Sequence, residues 1–300
     1  MFGLFKKKIN KKVEINKKPI TNFDDLLDTL RHNEISITLR NTANNEAPQR
    51  SKIGGSPAVP ATFEWPRFEG ENYNGEIANR PLSFLCQINL EETRDYDKDK
   101  LLPEKGLLLF FYEQDTMRWG FSPEDRGCSR VYYFENTNDL ELAEFPDDLK
   151  DEYKVKEYNL SFSTNLSYPG FEELNRHSNV DCTWSDYDDA LEEAGYNLDL
   201  ERHKLLGYAN LIQDEMLTEC ECTSRGMNRN TENYYNAPID AKEDINKSAT
   251  DWILLFQMAS ITDNDFELMF GDLGNLYFYI RKQDLKEHNF DKVWLVSQCG

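Results

Sequence analysis

Apolar positions in this chain fall mostly into short segments typical of β-strands, and one of these segments alternates apolar and polar residues as a half-buried strand does. In "ISITLR" the residues Ile35, Ile37 and Leu39 fall on one face. Seven further segments, rich in aromatic and branched side chains, predict strands as well. They are "PLSFLCQINL", "GLLLFFYEQD", "SRVYYFEN", "YNLSFS", "DWILLFQMAS", "GNLYFYI" and "VWLVSQC". The pattern therefore predicts a mainly β protein of the α+β class.

A few segments have helical spacing instead. "TNFDDLLDTLRHN" places apolar side chains at i, i+3, i+4 and i+7 behind a Thr21 or Asn22 cap, which predicts an amphipathic helix. Peripheral helices are also predicted at 171–177, 185–195 and, from a weaker pattern, 239–247. Between them "SRGMNRNTENYYNAPIDAKED" is typical of a polar surface excursion.

One phrase of the chain occurs twice. "GLLLFFYEQD" begins at Gly106 and "GNLYFYIRKQD" at Gly274, and each follows an apolar run that ends in a glutamine, Gln87 or Gln257. The two spacings are similar, 106 − 87 = 19 and 274 − 257 = 17 residues. We interpret the repetition as an internal duplication: two similar β subdomains related by a pseudo-two-fold, with a groove at their seam.

This interpretation divides one compact globular unit into four stretches. We expect residues 1–20 to form a basic, mobile tail, because they hold seven lysines and one glutamate. Residues 21–48 hold the N-terminal helix and strand. The first β subdomain spans 49–180 and the second spans 181–300.

Charge limits the classes of partner. The chain has 55 acidic and 34 basic residues, a formal net charge of −21, which repels nucleic acids and anionic lipid. We therefore expect no nucleic-acid partner and, since no apolar run is long enough to span a bilayer, no membrane insertion. The N-terminus lacks the apolar stretch of a signal peptide, which favours a cytoplasmic protein, expected to be a monomer. A basic protein is the macromolecular partner that the charge favours.

The six cysteines indicate reduced thiols in a cytoplasmic chain. Only "CEC", Cys220 and Cys222, resembles ligand spacing, and zinc would need two more ligands such as Cys182, His177 or His203. The alternative, which we favour, is two thiols on one face of a strand. We expect no metal site and no cofactor.

Candidate site residues are few. A buried glutamine must find hydrogen-bond partners, so Gln87 and Gln257 either bond main chain at the crossing between subdomains, which we favour, or line the seam groove. The second alternative gives a ligand-binding hypothesis that adds two tryptophans, an aspartate and a histidine, namely Trp65, Trp119, Asp272 and His203. We predict no catalytic residue, because no nucleophile motif is present.

Eight short segments, in this order, resemble the YwqG-like family, a bacterial domain of unknown function with a mainly β, internally duplicated fold. They are "SKIGGSPAVP", "EWP", "PLSFLCQINL", "LPEKGLLLFFYEQD", "WGFSPEDRG", "HKLLGYANLIQDEM", "DWILLFQMAS" and "GDLGNLYFYIRKQDL". The chain departs from the family pattern at Ala209, Met258 and Ala259. The resemblance implies a fold and brings no established activity.

Three functions remain as hypotheses. We favour a non-catalytic binding module for a small ligand or a basic protein. One alternative is an immunity-type protein that masks a basic toxin through electrostatic steering. Another is a hydrolase-like enzyme with an acidic site and His203. For a basic partner the predicted contact is the acidic cluster Asp186, Asp188, Asp189, Glu192 and Glu193, which could equally be a solvated helix face.

Overall fold

A computed structural model describes residues 18–19, 23–41, 47–178, 180–196, 202–229 and 231–300. Its strands are β1 Lys18–Pro19, β2 His32–Arg40, β3 Lys52–Ile53, β4 Ala58–Val59, β5 Arg67–Glu71, β6 Ile77–Pro81, β7 Ser83–Asn89, β8 Leu107–Tyr112, β9 Ser129–Phe134, β10 Glu141–Leu142, β11 Tyr158–Ser167, β12 Val180–Asp181, β13 His203–Leu205, β14 Trp252–Ala259, β15 Ile261–Thr262, β16 Glu267–Leu268, β17 Asn275–Arg281 and β18 Trp294–Gln298. Its helices are α1 Phe23–Leu30, α2 Leu90–Thr93, α3 Phe171–His177, α4 Trp184–Glu193, α5 Leu217–Ser224, α6 Glu232–Tyr235, α7 Ile239–Ala249 and α8 Lys282–Lys286.

One large antiparallel sheet organises the molecule. Its ten strands run in the order β18-β17-β14-β13-β2-β11-β3-β7-β8-β9. We call β2 and β11 the central pair, β3, β7, β8 and β9 the first arm, and β13, β14, β17 and β18 the second arm. Four two-stranded pairs lie outside this sheet: β1 with β12, β4 with β10, β5 with β6 and β15 with β16.

The main core forms where the two arms curve towards each other. The long apolar runs of β7, β8, β14 and β17 are buried almost throughout, because both faces of these strands are covered. The ring of Phe110 in the first arm lies 4.6 Å from that of Phe256 and 5.2 Å from that of Phe278 in the second. The sheet is therefore nearly closed, with an aromatic centre.

A connection between the outer edges of the arms continues this closure. After β8 the chain runs beside β18, where the main-chain N–H of Ser297 donates to the carbonyl of Trp119 at 2.9 Å. The indole N–H of Trp294 donates to the carbonyl of Gly120, also at 2.9 Å. Gly120 has φ +80°, and a Cβ there would lie 1.9 Å from the carbonyl oxygen of Leu295. Only glycine fits this close approach without moving backbone.

The inner strand of each arm, which is the strand next to the central pair, is β3 in the first arm and β13 in the second, and the two have equivalent pairings. Lys52 pairs with Gln87 in the first arm, and Lys204 pairs with Gln257 in the second. The ladder shifts register between Phe84 and Cys86 in β7 and between Leu254 and Phe256 in β14. The two irregularities therefore lie at the same distance from the two glutamines.

Each arm is also joined to the central pair by a matching ion pair. The Lys52 ammonium lies 2.9 Å from the carboxylate of Glu157, the residue that precedes β11. In the second arm the Lys204 ammonium lies 2.8 Å from the carboxylate of Glu34 in β2. An arginine two residues before each lysine contacts the same carboxylate; these are Arg50 and Arg202.

Most of the predicted elements are present. All eight strand segments are strands, and the four predicted helices correspond to α1, α3, α4 and α7. The interpretation of "CEC" as strand thiols is wrong, because Cys220 and Cys222 lie buried in helix α5. The predicted tail, apart from Lys18–Pro19, and the predicted Thr21 or Asn22 cap lie outside the described residues. Among the helices of the described residues, none is both long and apolar enough to cross a bilayer.

Candidate functional site

A cavity of about 240 Å³ opens between helix α3 and the second arm. Its lining comes from six places in the chain: the start of β2, helix α3, the turn after β13, helix α5, Thr250 with the start of β14, and the end of β17 with the start of α8. The lining residues are His32, Glu173, Arg176, His177, Gly207, Tyr208, Ala209, Leu217, Thr250, Trp252, Ile253, Leu254, Tyr279 and Lys282. The cavity thus combines apolar walls with several ionisable side chains.

Glu173 is a buried acid in this lining. Its side chain belongs to a residue only 2% exposed, and its carboxyl group makes no hydrogen bond or ion pair within the described residues. Burial raises the pKa of Glu173 to about 8, the charge of Glu215 raises it further, and Arg176 opposes the shift. The group is therefore a neutral carboxylic acid at pH 7.

Arg176, one turn later in α3, is already paired. Its guanidinium donates to the carboxylate of Glu215 and to the hydroxyl of Thr218. Glu215 also accepts the main-chain N–H of Thr218 at 3.2 Å. Arg176 is thus paired with Glu215 and forms no ion pair with Glu173, although its charge partly opposes the rise in the Glu173 pKa.

Two histidines stand on either side of Tyr208. The His32 ring stacks on Tyr208 with centroids 4.5 Å apart, and the His177 ring meets it edge-on at 5.1 Å. The Tyr208 hydroxyl donates to the carbonyl of Leu30 at 2.9 Å, so it can only accept from His32 Nε2 at 3.3 Å. This contact assigns the proton of neutral His32 to Nε2. Burial lowers the pKa of His32, and it lowers that of His177 to about 4.

Tyr279 adds a second unpaired polar group. The residue is 1% exposed, and its hydroxyl has no hydrogen-bond partner among the described residues. Burial raises its pKa well above the usual range, and the charge of Glu173 contributes to the shift, which places the two groups within electrostatic reach. The phenol therefore stays protonated and can donate.

The apolar wall is held in place by its own polar contacts. The indole N–H of Trp252 donates to Glu221 at 2.9 Å, and the guanidinium of Arg281 lies 4.5 Å from the Trp252 ring centroid. At the exposed rim the Lys282 ammonium donates to the carbonyl of Thr250 at 3.1 Å. The cavity accordingly has a fixed aromatic wall, neutral hydroxyl groups in its interior and a positive charge at its rim.

The two predicted glutamines, Gln87 and Gln257, are not part of the cavity lining. Both are fully buried, one in each arm. The Gln87 amide accepts from Ala58 N at 2.9 Å and donates to the carbonyl of Arg50 at 2.6 Å. The Gln257 amide accepts from Asn210 N at 2.9 Å and donates to the carbonyl of Arg202 at 3.1 Å. Each one therefore ties the segments before and after an inner strand together.

The other members of the ligand-binding hypothesis are spread over the molecule. Trp65 lines a separate cavity of about 250 Å³ beside β4 and β10, and its indole N–H donates to the carbonyl of Leu82. Trp119 packs near Gly271, and exposed Asp272 follows in the same loop, so these two lie at one corner. The structure thus places Trp119 beside the residue that precedes Asp272, whereas Trp65 lines a different cavity.

His203 is half-buried at the start of β13. Its Nδ1 atom accepts the main-chain N–H of Ala259 at 3.2 Å, so this nitrogen is unprotonated. Burial lowers the pKa of His203 to about 4. The ring is thus a neutral partner of the β14 backbone at pH 7.

The acidic cluster lies on helix α4 and is mostly exposed. Asp186 forms a capping box with Thr183: its main-chain N–H donates to the threonine hydroxyl at 3.2 Å, and its carboxylate accepts from Thr183 N at 3.1 Å. Asp189, Glu192 and Glu193 are exposed, and Asp188 is half-buried. One member of the cluster therefore stabilises the helix start, and the rest face solvent.

Sequence reasoning missed the cavity. The available signal was "FEELNRH", which places Glu173 and His177 four residues apart on one face of a predicted helix. Their approach to His32 and Tyr279 depends on tertiary contacts that no local pattern encodes. Within the described residues no group of three or more His, Cys, Asp or Glu side chains is arranged to hold a metal ion.

A known protein family matches a region of the chain that includes both arms and nearly all of the cavity lining. The family model for a domain of unknown function, DUF1963, matches residues 51–299. The chain belongs to this family. Of the cavity lining, His32 alone precedes the DUF1963 region. No curated protein matches the chain. The finer resemblance to the YwqG-like family stays a prediction.

Proposed function

We propose that this protein is a cytoplasmic, non-catalytic binding module that holds a small molecule in the cavity under helix α3. The observation that carries the proposal is a cavity of about 240 Å³ whose lining includes a buried acid, Glu173, and a buried phenol, Tyr279, neither bonded within the described residues. Buried polar groups are normally satisfied, and apolar walls with a few convergent polar groups are typical of ligand sites.

The residue types and protonation states of the cavity lining favour binding over catalysis. The lining contains no serine or cysteine, and the hydroxyl of Thr250 donates to the carbonyl of Lys247. With a pKa near 4, His177 is a weak base at pH 7, so it is poorly suited to activate a nucleophile. The groups can hold and orient a ligand without reacting with it.

A fragment screen by NMR tests the proposal. The indole N–H of Trp252 reports on the cavity wall, and that of Trp294, on the far edge of the second arm, is the control signal. We expect small aromatic fragments to shift the Trp252 resonance selectively. The substitution Ala209→Phe should fill the cavity and abolish the shift, whereas Ala61→Phe, in the separate cavity beside β4, should leave it unchanged. Fragments that bind both variants equally well would contradict the proposal.

We also infer that the two arms derive from one duplicated unit. The support is that Gln87 and Gln257 pair with equivalent lysines, bond the same relative main-chain atoms and follow equivalent register shifts. The order of strands on either side of the central pair is consistent with a pseudo-two-fold between β2 and β11. In the second arm helices α5 to α7 lie between β13 and β14, and α5 supplies Leu217 to the cavity.

A further inference from the structure

We propose that the cavity binds a small organic anion, a carboxylate on an apolar or aromatic body, whose oxygens accept hydrogen bonds from the hydroxyl groups of Glu173 and Tyr279. This inference rests on the proposed function and names its ligand class. Both groups line the same cavity, and neither has a partner within the described residues.

Because Glu173 and Tyr279 both offer hydrogen-bond donors, the cavity favours a ligand that carries hydrogen-bond acceptors. A protonated Glu173 offers one O–H donor, and Tyr279 offers another from a phenol that remains neutral. A carboxylate presents two oxygens with several lone pairs, so it can accept both bonds at once. Hydrogen bonds to a charged acceptor are also stronger than those to a neutral one.

The charge at the cavity favours the same ligand. The positive charge of Arg176 is balanced by Glu215, and that of the buried Lys204 is balanced by Glu34. Lys282 lines the rim and makes no ion pair within the described part of the chain. With Glu173 neutral, the lining carries a net positive charge, which attracts an anion and repels an ammonium group.

The apolar and aromatic walls of the cavity determine what kind of carbon skeleton the ligand can have. Ala209, Leu217 and Leu254 present apolar side chains, and Trp252 and Tyr208 present aromatic ones. A ring or a short branched chain would bury its carbon atoms against this surface, which contributes favourably through removal of apolar area from water. A strongly polar body, such as a sugar, would lose hydration here without finding matching partners.

Binding of this kind depends on pH. The charged or titratable groups around Glu173 are Glu172, Arg176 and His177 on α3, Glu215, Lys204, His32 and Lys282 on neighbouring segments, and the phenols Tyr208, Tyr277 and Tyr279. Glu173, with a pKa near 8, must be protonated to donate. Affinity should therefore be highest below pH 8 and fall as pH rises through 8. Glu219 on α5 has a pKa raised by burial to about 7, so it serves as a titrating control.

Calorimetry with three probes of similar shape tests the inference on the full chain. Benzoate is the anion, benzyl alcohol the neutral analogue and benzylamine the cation. We expect benzoate to bind most tightly, and its affinity to fall about tenfold per pH unit above pH 8, because each binding event then takes up a proton. Tighter binding of benzylamine, or a benzoate affinity that does not change between pH 7 and pH 9.5, would overturn the inference.

Three variants assign the effect to the two hydroxyl groups. Tyr279→Phe removes one donor with little change in shape and should weaken benzoate binding about tenfold. Glu173→Gln keeps a donor and cannot ionise, so it should bind benzoate and lose the decline above pH 8. Glu219→Gln should keep the decline. A decline that persists in Glu173→Gln, or a Tyr279→Phe variant that binds as well as the unsubstituted chain, would contradict the assignment.

The outcomes also separate this inference from the proposed function. Should fragments shift the Trp252 resonance while benzoate fails to bind, the ligand class is wrong and the binding module stands. Should no fragment of any charge reach the cavity, both proposals fail.

Discussion

Single buried amides fix the loops next to the inner strands of the sheet. Gln87 and Gln257 are fully buried, and each bonds main chain on both sides of the strand with which it pairs. In addition, Gln87 donates to the carbonyl of Pro48 at 2.8 Å. Because water cannot replace these partners, the two side chains hold segments that no regular ladder would hold.

Replacement of either glutamine by leucine should destabilise the protein strongly. The substitution keeps side-chain volume similar but leaves main-chain groups unpaired, for which we expect a loss of about 3 kcal/mol in the free energy of unfolding. Gln87→Leu should cost more than Gln257→Leu, because Gln87 makes one more hydrogen bond. Urea denaturation measures both losses. The exposed Gln283 is the matched control, and a Gln87→Leu loss no larger than that of Gln283→Leu would refute the expectation.

At the scale of elements, each arm is attached to the central pair by a lysine–glutamate contact. The two contacts have similar geometry and different burial. The side chains of Lys204 and Glu34 are both 0% exposed, whereas Lys52 is 1% exposed and its partner Glu157 is 32% exposed. A carboxylate that water can reach keeps part of its hydration after its partner is lost, and one that water cannot reach does not.

The two lysines should therefore differ in their contribution to stability. Lys204→Met leaves the buried Glu34 carboxylate with its contact to Arg202 and a hydrogen bond from the Ser36 hydroxyl but without its ammonium partner, so we expect a loss of about 4 kcal/mol in the free energy of unfolding. Lys52→Met should cost about 1 to 2 kcal/mol, because Glu157 can hydrate and keeps its contact with Arg50. Urea titrations of both variants provide the test. The double change Glu34→Gln with Lys204→Met should recover part of the loss, and the opposite ranking of the two lysines would argue against this explanation.

At the scale of the whole molecule, net charge is the property that bears on a possible partner. A net charge of −21 creates a field that attracts basic partners and is screened by salt. The exposed acids of α4 are one place on the described surface where negative charge is concentrated. Since exposed acids of this kind also serve simply to keep a protein soluble, a basic partner stays a prediction.

A partner recruited by electrostatic steering should be captured from the native lysate at low ionic strength. Its association rate should fall as the Debye length approaches about 8 Å at physiological salt. Reversal of charge at Asp188 and Asp189 should slow association several-fold, whereas reversal at Asp139 and Glu141, exposed acids in and just before β10, should have less effect. Surface plasmon resonance with the captured protein measures these rates. A rate insensitive to salt and to both reversals would rule out steering.

The sequence by itself determined most of the elements, because their patterns are local. Alternation in "ISITLR" and the aromatic runs ending at Gln87 and Gln257 predict strands that are present, and the spacing from Phe23 to Leu30 predicts α1. Helix α5 was missed because nearly all of its residues are buried. Four of its seven buried residues are polar, namely Thr218, Glu219, Glu221 and Thr223, so polar and apolar positions do not separate onto two faces and the sequence lacks the helical period.

Only the tertiary structure decided where the candidate site lies. Its key residues, His32, Glu173 and Tyr279, are separated by 173 − 32 = 141 and 279 − 173 = 106 positions, and they meet because β2, α3 and β17 pack around one cavity. The protonation of Glu173 has the same origin, since its pKa depends on burial and on the charges of Glu215 and Arg176. A local pattern records which side chains are available. Burial and long-range packing determine which of them face a common space, and in which charge state.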